Sequence, residues 1–271
     1  VPDAPVDDIL KAACGVNTEG YTHQALFYFP LRGGFQALTD GVRRGVQHPI
    51  HMQTPVESVR KTADGWRVND VDFDLVVNTI ALPELAPRFE GLPPDVAADI
   101  AALEPVSLVN VLVGMKADKP LQDLSWIYLP FEDQGVTNRL TFFSNYSPLN
   151  APEGHTSYMA EATYRGNLDV SQDWIDQLVS GLEHAGVLRR SDVTVTEHWK
   201  SRYAYIDQNI EFPARIQRVR EWFDASGMLT VGRFGRYEYH NSDQCIMRAF
   251  EAVKQIETLS QSGIVEPFVF S

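Results

Sequence analysis

Cysteine is nearly absent from this chain of 271 residues, with only Cys14 and Cys245, far apart in sequence. A chain of this length needs no disulfide for stability, and two thiols fit a reducing cytoplasm. Neither has a CxxC partner, and the histidines are scattered. His48 and His51 come nearest to ligand spacing. Pro49 lies between them and would break the helix that could bring both onto one face, so no metal site is expected. Gly-x-Ser-x-Gly is missing, and Cys14 lies beside no basic or histidine-rich stretch that would activate it.

Long apolar runs are lacking too. The stretches 75–82 and 106–115 are too short and too polar for a membrane helix, which takes roughly 20 apolar residues. Basic residues are scarce: 23 Lys and Arg against 36 Asp and Glu leave a formal charge of −13. Such a surface repels phosphate backbones, which excludes a general nucleic-acid binder but not a small local anion pocket. The N-terminal Val-Pro-Asp-Ala-Pro-Val-Asp-Asp has no basic region, no apolar targeting region and no Met, so the chain is expected to start inside a longer protein.

What is present is ordinary globular material, 44% hydrophobic and 22% charged, enough for a sizeable core and most simply divided into two domains. Residues 27–30, an aromatic run, read as a strand that passes through Arg32-Gly33-Gly34 into a helix ending near Arg44. Alternation over 56–59, the turn pair Asp64-Gly65 and the run 66–68 read as a hairpin, with a further turn at Asn69-Asp70. Residues 74–80 are nearly continuously apolar, as in a parallel strand covered on both faces. A helix follows over 93–103. Then the texture turns β-rich over 108–115, 126–129, 140–143 and 157–162, which predicts one antiparallel sheet. Trp174, Leu178 and Leu182 mark a helix, 193–199 a strand, and 228–232 a short apolar strand. Ile246, Ala249, Phe250, Val253 and Ile256 place an apolar stripe on a last helix that opens at Asn241-Ser242-Asp243. The tail 264–271 is apolar without period.

Two features point to chemistry. In the first, the strand near Val231 ends in Gly232-Arg233-Phe234-Gly235 and leads to the start of the last helix, whose exposed N–H groups and positive dipole end suit a diphosphate. The second is a crowd of arginines and tyrosines: Tyr128, Arg139, Tyr146, Tyr203, Tyr205, Arg233, Tyr237 and Tyr239. Guanidinium groups fork onto phosphate oxygens while rings stack on a base or sugar; cross-strand packing with snorkelling arginines gives the same pattern.

Taken in order, Phe29-Pro30-Leu31-Arg32-Gly33-Gly34, Asp74-Leu75-Val76-Val77-Asn78-Thr79, and Gly232-Arg233-Phe234-Gly235 with Asn241-Ser242-Asp243-Gln244 resemble the flavoprotein family of amine oxidases, protoporphyrinogen oxidases and UDP-galactopyranose mutases. Within it, Trp126-Ile127-Tyr128-Leu129-Pro130, the block from Asn138 to Pro148, and Gly232-Arg233-Phe234-Gly235-Arg236-Tyr237-Glu238-Tyr239 resemble the eukaryotic-type mutases. The resemblance implies an α/β fold with an α+β substrate part: residues 1–85 and 222–271 as a partial, Rossmann-like FAD-binding domain, and 86–221 as an antiparallel-sheet substrate domain. It also implies that Arg139 and Arg233 hold the two phosphates of a UDP-sugar, that Tyr128, Tyr205 and Tyr239 hydrogen-bond around them, and that Gln24 lies near the sugar and flavin. On the FAD side it places the backbone of Val56 at the adenine, and Gly232, Arg233, Asn241, Asp243 and Gln244 near the remainder.

In such mutases the reduced flavin, through its N5, is the nucleophile, so no side chain is expected to be catalytic. The family's Gly-x-Gly-x-x-Gly strand-turn-helix occurs nowhere in these 271 residues. The chain alone is therefore expected to be inactive, without tightly held FAD, and to need that segment as its partner. Two alternatives stand beside the mutase reading: a flavin-dependent oxidase or dehydrogenase acting on an amine or other hydride donor, and a non-catalytic sugar-nucleotide-binding module.

Overall fold

The computed structural model describes residues 6–16, 27–117 and 124–261. The chain falls into two compact units, one of residues 1–49, 109–163 and 167–200, the other of 50–108, 164–166 and 201–271. The expected division grouped 1–49 with the last helix and 94–101 with the sheet. The compact units group them the other way.

In chain order the main elements are α1 Val6–Ala13, α2 Gln36–Gly45, β1 Val59–Lys61, β2 Trp66–Val68, β3 Val71–Phe73, β4 Val77–Asn78, α3 Leu82–Leu85, α4 Pro94–Ala101, β5 Pro105–Met115, β6 Trp126–Tyr128, β7 Arg139–Thr141, α5 Phe143–Tyr146, β8 Thr156–Tyr164, α6 Gln172–His184, β9 Val193–Ile206, α7 Phe212–Ser226, β10 Leu229–Thr230 and α8 Ser242–Gln261. Helices and sheets thus mix in an α/β arrangement, as expected. Among the described residues no helix is long and apolar enough to cross a membrane.

The first unit is built on the predicted sheet, whose strand order is β6-β7-β8-β5-β9. Strands β6, β7 and β8 pair antiparallel. Val109, Val111 and Val113 alternate inward from β5 and are fully buried, and Leu108 and Asn110 are buried as well, so the middle of the strand is covered on both faces. Ile175, Leu178 and Leu182 bury the inner face of α6, and Ser171 caps its start by accepting the Trp174 N–H at 3.3 Å.

Two expectations fail in this unit for local reasons. Residues 27–30 form no strand, because Pro30 has no N–H to give a ladder and the rings make other contacts. Phe27 and Phe29 lie 5.0 and 5.2 Å from the Tyr146 ring, and the Ser147 hydroxyl donates to Leu31 O at 2.7 Å. The strand expected over 140–143 ends at Thr141, and Phe143 opens the helical turn α5.

The second unit has its own core, in which Trp66, Leu82, Leu85, Phe89, Ile216 and Phe223 are buried together. The β1–β2–β3 meander turns where predicted, at Gly65 and at Asn69, whose φ of 52° is one that Asn tolerates. The strand expected at 56–59 is shifted, beginning only at Val59. Helix α7 lies on α4, fastened by Arg218 Nε and Nη2 to the Asp99 carboxylate at 2.8 and 2.7 Å.

The apolar run 74–80 contributes only two paired residues, β4, parallel to β10. Among the described residues this sheet has two strands, and Val77 is 41% exposed rather than covered on both faces. The stripe of α8 also differs from expectation. Ile246, Phe250 and Val253 are exposed, and Ala252, off that stripe, is the buried one. Amphipathic spacing formed the helix without burying its apolar side.

Candidate functional site

The segment from Gly232 to His240 joins β10 to α8 and is fastened from several sides of the second unit. Leu82 donates its N–H to Phe234 O at 3.1 Å, and Val231 donates to Asn78 O at 2.9 Å. At Gly235 an added Cβ would fall 2.3 Å from Val231 O and 3.0 Å from Thr79 Cα, so only glycine lets this loop pass so close to the end of β4. Arg220 on α7 donates to Arg236 O and Tyr237 O at 2.9 and 2.7 Å, and its burial pulls its pKa down. Arg236 grips Asp224 with both terminal nitrogens at 2.8 and 3.0 Å, and that hydrogen bonding raises its own pKa.

Tyr237 is a buried pivot, 1% exposed, with a left-handed φ of 54°. Its hydroxyl donates to Leu103 O at 3.3 Å, and burial pushes its pKa up.

On this rigid loop stands Arg233. Its guanidinium carbon lies 4.3 Å from the centre of the Tyr239 ring, 5.5 Å from Tyr205 and 5.8 Å from Phe234. Arg233, Tyr205 and Tyr239, singled out by sequence, thus meet in one aromatic cage, with Phe234 as its third ring. Nη1 donates to His240 O at 3.0 Å, just before the start of α8. Nε and Nη2 are buried and have no hydrogen-bond partner among the described residues. Leaving a buried donor unmade costs about 1–3 kcal/mol, so such a guanidinium is suited to a further acceptor.

The start of α8 is organised as predicted: Asn241 donates its N–H to Gln244 Oε1 at 3.0 Å, the return half of a capping box, and Asp243 sits in the first turn. Gly232, with φ of 91° and nothing within 4 Å of an added Cβ, leaves open space beside Arg233. Val56 lies against the core, and its neighbours are stapled by Asn69, whose Oδ1 accepts the Glu57 and Ser58 N–H groups at 2.8 and 3.2 Å. A cavity of about 640 Å³ runs beside α8, lined by Gly232, Arg236, Glu238 and Arg248 among others; Arg233, Tyr205 and Tyr239 do not line it.

Tyr203, two residues before Tyr205 on β9, was noted in sequence without a partner. Its hydroxyl donates to Glu84 at 2.9 Å, its ring lies 5.3 Å from Phe234, and burial with that hydrogen bond pushes its pKa up to about 12. Glu84 also receives Arg202 at 2.6 Å.

The first unit holds the other predicted pair. Tyr128 on β6 stands directly across from Arg139 on β7, and is exposed. Across the other edge of β7, Arg139 meets Glu161, which donates nothing and takes Nε and Nη2 at 3.0 and 2.6 Å. Glu161 had not been singled out, because its register against Arg139 is set by pairing and not by spacing along the chain. Gln24 lies outside the described residues, as does the tail 264–271. Among the described residues no cluster of His, Cys, Asp and Glu could hold a metal ion.

This is the fold of a flavoenzyme. One solved relative is reduced UDP-galactopyranose mutase, with a TM-score of 0.83 at 22% identity over 96% of this chain and 59% of the other. A protein assigned as a protoporphyrinogen oxidase from Exiguobacterium sp. 255-15 matches with a TM-score of 0.63 at 16% identity, over 83% of this chain and 51% of that one. A fatty acid isomerase from P. acnes matches with a TM-score of 0.57 at 13% identity, over 82% and 52%. The chain therefore spans little more than half the length of the solved structures it matches. Residues 11–206 match the model of the flavin-containing amine oxidoreductases, and the chain belongs to that family.

Proposed function

We propose that this chain is the substrate-binding portion of a UDP-galactopyranose mutase-like flavoprotein, taking a UDP-sugar through Arg233, Tyr205 and Tyr239, with Arg139 and Tyr128 as further ligand residues. The observation that carries this reading is the Arg233 cage: a guanidinium among three rings with two buried donors unmatched. A phosphate oxygen supplies the acceptor those donors lack, and the forked geometry favours it over a single hydroxyl. The flat rings hold the cation in place at little entropic cost.

The loop and the start of α8 beside it also fit a flavin. Gly232, Arg233, Asn241, Asp243 and Gln244 would hold it, the open flank of Gly232 admitting it closely. When bound, the flavin supplies the nucleophile and electron reservoir that no side chain here provides. The protein's own part is to orient the sugar nucleotide and to balance phosphate charge with Arg233.

The test is UDP titration of the chain by calorimetry. Binding is expected, with Arg233→Ala and Arg139→Ala each losing tenfold or more, since a charged hydrogen-bond partner contributes about 1.5–3 kcal/mol. Unchanged affinity in Arg233→Ala overturns the reading. A second reading, oxidation of an amine or other hydride donor, is favoured by the family match over residues 11–206. Amine-dependent peroxide formation by the flavin-loaded protein, with no UDP binding, would establish it instead.

A further inference from the structure

Asn78 turns the chain at the end of β4, its side chain donating to Ile80 O and accepting the Ile80 N–H, both at 3.0 Å. The helical turn α3 follows at once and is anchored by Leu82 and Leu85, each 1% exposed in the core of the second unit. Glu84 stands between them in the first turn, half-buried. One of its oxygens, Oε1, accepts from two neighbours on β9: the Tyr203 hydroxyl at 2.9 Å and Arg202 Nη1 at 2.6 Å. The Ser107 hydroxyl donates to Arg202 O at 3.0 Å, so this stretch of β9 is held at side chain and backbone. Burial, and then the bond to Glu84, push the Tyr203 pKa up to about 12, which keeps the phenol a donor at neutral pH.

The Tyr203 ring carries that hold onward. Its centre lies 5.3 Å from that of Phe234. Phe234 is thus held by α3 twice: its carbonyl accepts the Leu82 N–H at 3.1 Å, and its ring rests on the phenol that Glu84 fastens. Phe234 is in turn a wall of the cage, 5.8 Å from the Arg233 guanidinium carbon. Tyr205, two residues beyond Tyr203 and so on the same side of β9, is another, at 5.5 Å. A continuous line of contacts runs from the carboxylate on α3 to the guanidinium, all within the second unit.

We propose that Glu84 and Tyr203 are positioning residues: the carboxylate holds the phenol against Phe234, which fixes that wall of the cage, and with it the direction of the Arg233 donors, before a ligand arrives. This rests on Arg233 being a phosphate-binding residue, as proposed above. Direction matters because forked N–H groups reward an acceptor in their plane, and a guanidinium ordered in advance loses less entropy on binding.

The test is a double-mutant cycle on UDP affinity, measured by calorimetry on the whole chain well below its melting temperature. Tyr203→Phe keeps the ring and removes only the hydroxyl; Glu84→Gln keeps the size and removes the charge. Each is expected to weaken UDP binding about three- to tenfold, the worth of roughly one hydrogen bond. In a Phe234→Leu background, where the wall is already lost, Tyr203→Phe is expected to cost less than about twofold, because the two act through one contact. An equal loss in both backgrounds is the signature of independent, merely structural effects and overturns the proposal.

A second measurement needs no ligand, and it decides the matter if Phe234→Leu does not fold. The three rings displace the Arg233 side-chain proton resonances of arginine-labelled protein, so a loosened wall moves them toward their ordinary positions. That movement is expected in Tyr203→Phe and in Glu84→Gln, and resonances that stay at wild-type values in both overturn the positioning role. If they move while wild type binds no UDP, the ligand reading of Arg233 fails and the hold of Glu84 and Tyr203 on its cage stands.

Discussion

The Arg233 guanidinium lies against the Tyr239 ring at 4.3 Å, the closest of its three aromatic contacts. Cation–π contact contributes about 0.5–2 kcal/mol as the pair is desolvated, so Tyr239→Leu should weaken UDP binding roughly tenfold. Tyr239→Phe keeps the ring face and should lose less. Calorimetric titration of both variants separates the ring from the hydroxyl: equal losses would assign the contact to the hydroxyl alone.

Gly235 predicts a stability effect. Its neighbours at 2.3 and 3.0 Å are backbone atoms, which cannot rotate away as a side chain would. Gly235→Ala should destabilise by about 1–3 kcal/mol, as overpacking does. In a chain of this length that lowers the melting temperature by about 2–4 °C per kcal/mol. A variant that melts with wild type would show that the loop tolerates displacement.

Phe223 tests the core of the second unit. Its ring is 1% exposed and lies 5.9 and 5.0 Å from Phe89 and Trp222. Phe223→Ala should cost about 3–5 kcal/mol through lost burial and the cavity left behind. Urea unfolding followed by tryptophan fluorescence reads it directly, because Trp222 and Trp66 sit in the same core.

Tyr203 gives an alkaline limb. Its pKa rises from the ordinary 10 to about 12 in the folded chain, so the folded state holds this proton more tightly than the unfolded one. The contribution is fully present below about pH 10 and is lost as pH rises toward about 12. Tyr203→Phe should flatten that part of the stability profile while lowering stability at neutral pH, because Glu84 loses a donor. Identical slopes in the two proteins between those pH values would refute the assignment.

How much of this was legible in sequence depended on whether the signal was local. The α2 helix, the Gly65 turn and the strands of the five-stranded sheet each announce themselves within a few residues through period and turn chemistry. The 27–30 segment failed because its run of aromatics reflects two rings docking on Tyr146, not a ladder. The stripe of α8 was read correctly as amphipathic, but the pattern cannot say what an apolar face packs against. At the site, Arg233, Tyr205 and Tyr239 could be named from composition and resemblance, whereas Glu161 and Glu84 could not. Each is one ordinary glutamate whose partner is supplied by strand register or by a strand distant in sequence.

Tyr237 sets two demands that pull in different directions. The backbone there, at φ 54°, favours glycine or asparagine, while the buried space and the bond to Leu103 O call for a full phenol. Glycine would ease the first and empty the second; phenylalanine would fill the space and strand the carbonyl. Saturation mutagenesis with selection for folded protein should therefore return tyrosine almost alone at 237, while neighbouring Glu238 and His240 accept substitutes. The position acts as a bottleneck through which every viable variant of this loop must pass.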